Sequence, residues 1–145
     1  MPIITTNKRA YFDYEILETF ETGVELFGFE VKSVKNGQIN LAGSYAIIRG
    51  GEVWLINADI PAYQPKNAPE DYDSKRSRRL LLRKKEIGTL IGRTVEKGLT
   101  LVPLRVYTKE RKIKIEIGLA KNRKKKDKRE LIKKREAERE IKLGM

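Results

Sequence analysis

The sequence predicts a mainly β fold with helices: a small barrel of short antiparallel strands, two helices embedded among them, and a basic tail. Three features carry this reading. From Lys112 to Leu119 polar and apolar residues alternate strictly, with Ile113, Ile115, Ile117 and Leu119 on one face, as a strand with one buried side requires. Residues 44–60, SYAIIRGGEVWLINADI, are two apolar runs hinged on Gly50-Gly51, a strong hairpin signal. The last 25 residues, Lys121 to Met145, hold twelve lysines and arginines against five acids and no aromatic residue. Such a block is a tail that needs a polyanion to organise it.

Along the chain, Phe12 to Phe20 (FDYEILETF) is aromatic and β-branched, so a strand is expected. Val24 to Phe29 is expected to pair back on it as a hairpin, with Gly23 supplying a positive φ in the turn. Glu30 to Asn36 reads as a short helix, Val31 and Val34 three apart among charges, stopped by Gly37. After the Gly50-Gly51 hairpin, residues 61–79 are interrupted by Pro61, Pro65 and Pro69 and end in the cationic run Lys75-Arg76-Ser77-Arg78-Arg79. A structureless loop of this length is functional or disordered. Leu80-Leu81-Leu82 opens a short strand. Lys84 to Val95 places Ile87, Leu90, Ile91 and Val95 on one helical face, a core-packing pattern. Thr100 to Tyr107 and Lys112 to Leu119 form a further hairpin.

Six or seven such strands with two helices suit a small closed or nearly closed barrel of the oligonucleotide-binding (OB-like) type. Closure removes exposed strand edges and leaves one face and its loops for nucleic acid. The body is expected over residues 1–120 and the tail over 121–145.

Composition narrows the function classes. The formal net charge is +12, of which the tail carries +7, so the body is mildly basic. This balance favours nucleic acid or an anionic surface. No window approaches a membrane span, and MPIITTNKRAYF has no signal architecture, so a cytoplasmic protein is expected. Cysteine and histidine are both absent, which removes thiolate chemistry, zinc ribbons and an imidazole base. No metal or cofactor is expected.

Within the tail, Asp127 to Lys142 has good helix formers and neither glycine nor proline. Asp127 suits a helix N-terminus, Glu130 makes a loose capping box with it, and Glu130–Lys134 adds about 0.2–0.5 kcal/mol. Leu131, Ile132, Ala137, Ile141 and Leu143 do not form a wide apolar stripe. A helix so short and solvated is marginal alone, so the tail is expected to be disordered in the free protein and to fold when its charges are neutralised. The plain alternative is a solubilising tail, which would not need the anchors Leu131 and Ile132.

Several fragments then occur together in order: Asn7-Lys8-Arg9-Ala10, Glu21-x-Gly23, Gly28-x-Glu30-Val31-Lys32-Ser33, Ser44-Tyr45, Arg79-Leu80-Leu81-Leu82, Gly98 to Leu104, and Asp127-Lys128-Arg129 followed by Ile132-Lys133 and Arg135. On these the chain resembles the small protein B (SsrA-binding protein) family, partners of transfer-messenger RNA (tmRNA), from about Asn7 to Leu143. The resemblance implies an OB-like barrel that binds the tRNA-like domain of tmRNA and brings alanine-charged tmRNA to stalled ribosomes for trans-translation. The barrel stands in for an anticodon arm. The tail enters the vacant mRNA channel along small-subunit rRNA and folds as a helix. It implies no catalytic activity, a monomer, no membrane, and indirect links through tmRNA to elongation factor Tu and alanyl-tRNA synthetase.

Carried over by position, Glu21 and Leu81 match residues implicated in tmRNA binding, with Gly23 beside them. Lys32, Lys75, Arg76, Arg78, Arg79, Arg83 and Lys84 are candidate phosphate contacts. Glu21 can only accept hydrogen bonds, from a base amino group, or else orient a neighbouring cation. Leu81 is either core or an apolar platform under a base. In the tail, Asn122, Arg123, Lys124, Lys126, Asp127, Lys128, Arg129, Ile132, Lys133, Lys134 and Arg135 form the decoding-centre and mRNA-channel set. Two positions depart from the family. Asn122 replaces a common hinge glycine, although asparagine tolerates left-handed geometry. Lys126 replaces a histidine or aromatic ring, exchanging stacking for phosphate or cation–π contacts.

Two rivals remain at this stage. A ribonuclease suits the basic barrel, but no carboxylate cluster has metal-site spacing and histidine chemistry is excluded. A general RNA-binding barrel, such as a ribosomal protein or RNA chaperone, would bind single strands broadly through exposed aromatics.

Overall fold

The computed structural model describes residues 2–142, with side chains at 67, 95–97, 125–127 and 138–142 left aside. The elements are β1 (Ile3–Thr6), α1 (Lys8–Asp13), β2 (Tyr14–Val24), α2 (Gly28–Lys35), β3 (Tyr45–Arg49), β4 (Glu52–Ile56), a 3-10 turn (Pro65–Asn67), β5 (Arg78–Leu81), α3 (Lys84–Lys97), β6 (Thr100–Lys109), β7 (Lys112–Asn122) and α4 (Lys125–Lys142).

The seven strands are ordered β1-β6-β3-β4-β5-β2-β7, and an additional β6–β7 pairing joins the ends into a ring. Every ladder is antiparallel. Six strands make the ring and β1 flanks it, pairing with the Arg105–Tyr107 half of β6. The predicted fold class therefore holds, with α2 and α3 as the two embedded helices.

Period-two patterning drives closure. Ile113, Ile115, Ile117 and Leu119 of β7 are all buried, as are Leu101 and Val106 of β6 and Val53 and Leu55 of β4. Val34 from α2 and Leu90 from α3 plug the same core at zero exposure. Gly118 faces a second, smaller cluster of Ala10, Val102, Leu104 and Ala120 with Tyr14 and Ile16 packed on it: a Cβ there would lie 2.9 Å from Leu104 Cδ1 and 3.1 Å from Ile16 Cγ2.

The Gly50-Gly51 hairpin forms as expected, with φ of 59° and 75° at its two turn residues. Thr100–Lys109 and Lys112–Asn122 pair from Thr100↔Ala120 to Lys109↔Lys112, with a bulge between Pro103 and Arg105. In α3, Leu90 is fully buried and Ile87 partly so, whereas Ile91 keeps 38% exposure; the Val95 side chain lies outside the described residues.

Three expectations are corrected. Phe12 and Asp13 close α1 rather than open a strand, because Asn7 caps a short helix: its Oδ1 accepts from Ala10 N at 3.3 Å. β2 runs straight through Gly23, which has no positive φ, so the Val24–Phe29 hairpin does not form. Instead α2 starts at Gly28, where Phe27 N donates to Glu30 Oε1 at 2.7 Å. The proline-punctuated loop is also tied down: Ile60 N donates to Ser74 O at 2.9 Å, and Tyr72 Oη lies 2.7 Å from Ile60 O.

Candidate nucleic-acid interface

β2 and β5 meet at Gly23↔Leu81. Lacking a side chain, Gly23 lets Leu81 lie close over the strand: a Cβ there would sit 3.3 Å from Leu81 Cβ. Alternation along β2 turns Thr22 inward, its hydroxyl donating to Ile115 O at 2.8 Å, and leaves Glu21 and Gly23 outward. Leu81 is 44% exposed, so it lies on the surface and not in the core. An open groove carries Glu21, Gly23, Leu81 and Arg83 together with Lys85 and Lys114. Four sequence candidates thus converge on one patch, and Lys114 and Lys85 join it from β7 and α3. The alternation of β7 marked Lys114 as outward-facing, but only the folded groove brings it near Glu21, whose ladder partner is Glu116.

Glu21 is held in place. The Tyr107 hydroxyl donates to its Oε2 at 2.5 Å, and Lys109 Nζ lies 3.3 Å from Oε1. The Tyr107 hydrogen bond, with Lys109, holds the Glu21 carboxyl below its ordinary value despite partial desolvation. Burial, and then the Glu21 carboxylate, push the Tyr107 hydroxyl well up. Glu21 is therefore a fixed acceptor anion with two protein donors, ready to accept from an amino group.

The cationic run preceding β5 behaves differently. Arg78 is fully buried, which corrects its reading as a phosphate contact. Its Nε and Nη2 donate to Glu30 Oε2 at 2.9 and 2.7 Å, and its Nη1 to Ala58 O at 2.8 Å. Arg76 pairs with the same carboxylate and lies 4.1 Å from the centroid of the Phe27 ring. Tyr72 Oη, 2.8 Å from Glu30 Oε2, completes the cluster. Burial opposes the charge of Glu30, but Arg76, the Phe27 amide, Arg78 and Tyr72 together hold its carboxyl below the ordinary value. Burial and that carboxylate push the Tyr72 hydroxyl up to about 12. Arg79 is bridged to Glu25 and Glu52. Lys32, Lys75 and Lys84 are exposed and lie outside the patch. Besides Lys85 and Lys114, sequence reasoning missed Glu30, an acid in a helical first turn whose partners lie 46 and 48 positions away.

At the far end of β2, Tyr14 pairs with Asn122, the last residue of β7. Asn122, which replaces the family's hinge glycine, has no positive φ and so does not use the left-handed geometry asparagine tolerates; Asn57, Glu110 and Arg111 are the described non-glycine residues with that geometry. The tail then forms α4. Arg123 N donates to Asp13 O at 2.9 Å, and Lys128 Nζ pairs with Asp13 Oδ1 at 3.0 Å. Lys128 and Arg135 also approach the Phe12 ring, at 5.7 and 5.9 Å from its centroid. Arg129, Ile132, Lys133, Lys134 and Arg135 are exposed. The side chains of Lys126 and Asp127 lie outside the described residues.

A family model described as SmpB protein matches residues 4–145. The chain is 51% identical over 143 residues to an SsrA-binding protein of Gloeothece citriformis, covering 99% of this chain and 92% of that one. It is also 51% identical over 142 residues to an SsrA-binding protein of Thermosipho africanus, covering 97% and 95%. A solved structure described as "tmRNA-SmpB: a journey to the center of the bacterial ribosome" matches with TM-score 0.69 and 44% identity, covering 86% of this chain and 87% of that one.

Proposed function

The chain belongs to the SmpB protein family, and from that premise we propose that it binds tmRNA and acts with it on the ribosome in trans-translation. The observation that carries the assignment of parts is their separation. Glu21, Gly23 and Leu81 lie near one end of β2, while Tyr14 and the root of the tail lie at the other, roughly 30 Å apart at the rise of an extended strand. One barrel can thus hold the tRNA-like domain at the Glu21 end and present the tail from the opposite end.

At the Glu21 end, Leu81 supplies an apolar surface under a base, Glu21 an acceptor, and Arg83, Lys85 and Lys114 the phosphate contacts. Gly23 keeps Leu81 seated. Arg76, Arg78 and Arg79 serve the protein's own carboxylates. At the tail end, Lys128, Arg129, Lys133, Lys134 and Arg135, with Asn122 to Asp127 before them, follow small-subunit rRNA along the empty mRNA channel. Ile132, 43% exposed, offers an apolar anchor there. An occupied channel leaves these cations no phosphates, so the tail reads the absence of message by charge. Residues 1–120 are the RNA-binding body and 121–145 the ribosome-directed segment. No catalytic step is assigned to either, and elongation factor Tu and alanyl-tRNA synthetase meet the protein only through tmRNA. No described helix is long and apolar enough to cross a membrane, in keeping with cytoplasmic work on ribosomes.

The test is binding of the full chain, and of a chain ending at Lys124, to the tRNA-like domain of tmRNA at 150 mM salt, with an ordinary tRNA as competitor. Residues 120–122 are kept because they belong to the β2–β7 ladder. Selective binding that survives truncation is expected. Equal binding to both RNAs would make this a general RNA-binding barrel.

A further inference from the structure

Beside the Glu21–Leu81 patch lies a second recess of about 410 Å³, within the size range of small-ligand sites. Val24, Leu26 and Val31 give it an apolar floor and Leu81 a shared wall, while Arg111 and Lys112 stand on its rim. The three floor residues are partly buried and packed on the main core, so the cavity is backed by rigid structure.

The rim is built at a cost in backbone strain. Glu110 and Arg111 form the two-residue β6–β7 turn with φ of 53° and 67°. Such turns favour Asn-Gly, because left-handed geometry is unfavourable for residues with a Cβ. Strain retained in this way points to a use for the side chains it displays. Among the described residues neither Arg111 nor Lys112 has a carboxylate partner, and both are exposed, unlike Arg76 and Arg79. An apolar floor suits the face of a base, and two unpaired cations on its rim suit the phosphates on either side; a purely apolar protein segment would leave those cations unmatched.

We propose that this recess takes one unstacked base of the bound RNA, with its flanking phosphates on Arg111 and Lys112. The inference rests on the Glu21 end being the RNA-binding end.

Two variants of the full chain test it against the tRNA-like domain of tmRNA, with ordinary tRNA as competitor. Val31→Phe fills the recess and keeps every charge; losing one stacked base weakens binding about 5- to 150-fold with the salt slope unchanged. Arg111→Gly removes a cation and relieves the turn; affinity falls, the slope of log K against log salt drops by about 0.7–0.9, and the melting temperature does not fall. Wild-type affinity in both variants, with selectivity for the tRNA-like domain intact, overturns the recess and leaves the proposed function standing. Loss of affinity in both, in a protein that does not distinguish the two RNAs, keeps the recess and overturns the tmRNA assignment. If Val31→Phe does not fold, the affinity and salt slope of Arg111→Gly decide.

Discussion

Glu30 and Arg78, 48 positions apart, form an ion pair in which Arg78 Nε and Nη2 both donate to Glu30 Oε2, at 2.9 and 2.7 Å, and both side chains have zero exposure. The pair ties the first turn of α2 to the start of β5 and, through Ala58 and Ser74 carbonyls, to both ends of the proline-rich loop. It is a clasp inside the fold made from residues whose local sequence reads as surface.

Removing one partner leaves a buried charge alone, so Glu30→Gln is expected to destabilise the fold by about 3–5 kcal/mol. A guanidinium titration with two-state analysis measures it. A loss under about 1 kcal/mol would mean that the cluster is solvated.

The same carboxyl sets an acid limit. Its folded value lies below the ordinary 4.5, so its stabilisation is fully present above that value and is lost as pH falls through the lower, folded one. Melting temperature is expected to hold from neutral pH to about 5 and then decline. The double variant Glu30→Gln/Arg78→Met, if folded, should show a shallower decline.

Tyr107→Phe keeps the ring and removes the donor to Glu21. The Glu21 carboxyl is expected to rise toward its ordinary 4.5, read by carbon-13 NMR titration. Affinity for the tRNA-like domain should fall severalfold, on the order of the 0.5–1.5 kcal/mol that one hydrogen bond contributes. A shifted titration with unchanged affinity would remove Glu21 from the interface.

Gly118→Ala places a methyl 2.9 Å from Leu104 Cδ1. Overpacking between β2, β6 and β7 should cost about 1–3 kcal/mol. Thermal unfolding measures it, and an unchanged midpoint would show that Leu104 can move aside.

Asp13→Asn removes the carboxylate that pairs with Lys128 and Arg9. Burial works against the Asp13 charge, but these two cations hold its carboxyl low. A partly exposed pair of this kind contributes under about 1 kcal/mol, so the global midpoint should barely change. Amide exchange in residues 128–135 is expected to quicken if α4 is held by α1. Equal exchange rates in variant and wild type would show that Lys128 does not hold the helix.

Wherever a local pattern was sufficient, the sequence by itself determined the outcome. The β3–β4 and β6–β7 hairpins follow from a Gly-Gly hinge and strict alternation. α3 follows from helical spacing and the left-handed Gly98 that ends it, φ 60°. Ring closure follows from several amphipathic strands that would otherwise expose edges. The tail's charge was legible from composition.

Long-range partners were decided only by tertiary structure. Gly23 looked like a turn because glycine favours turns locally, yet it sits within β2 to admit Leu81, 58 positions later in the ladder. Lys75, Arg76, Arg78 and Arg79 read alike as candidate phosphate contacts because a charge run shows no local partner. Folding brought Glu30 to Arg76 and Arg78, and Glu25 and Glu52 to Arg79. Phe12 and Asp13 looked like strand until Asn7, anchored to Pro103 O at 2.9 Å, capped α1. Propensity and periodicity act over a few residues and were readable; an ion pair or a close backbone approach depends on which distant residue arrives, and only the closed barrel sets that.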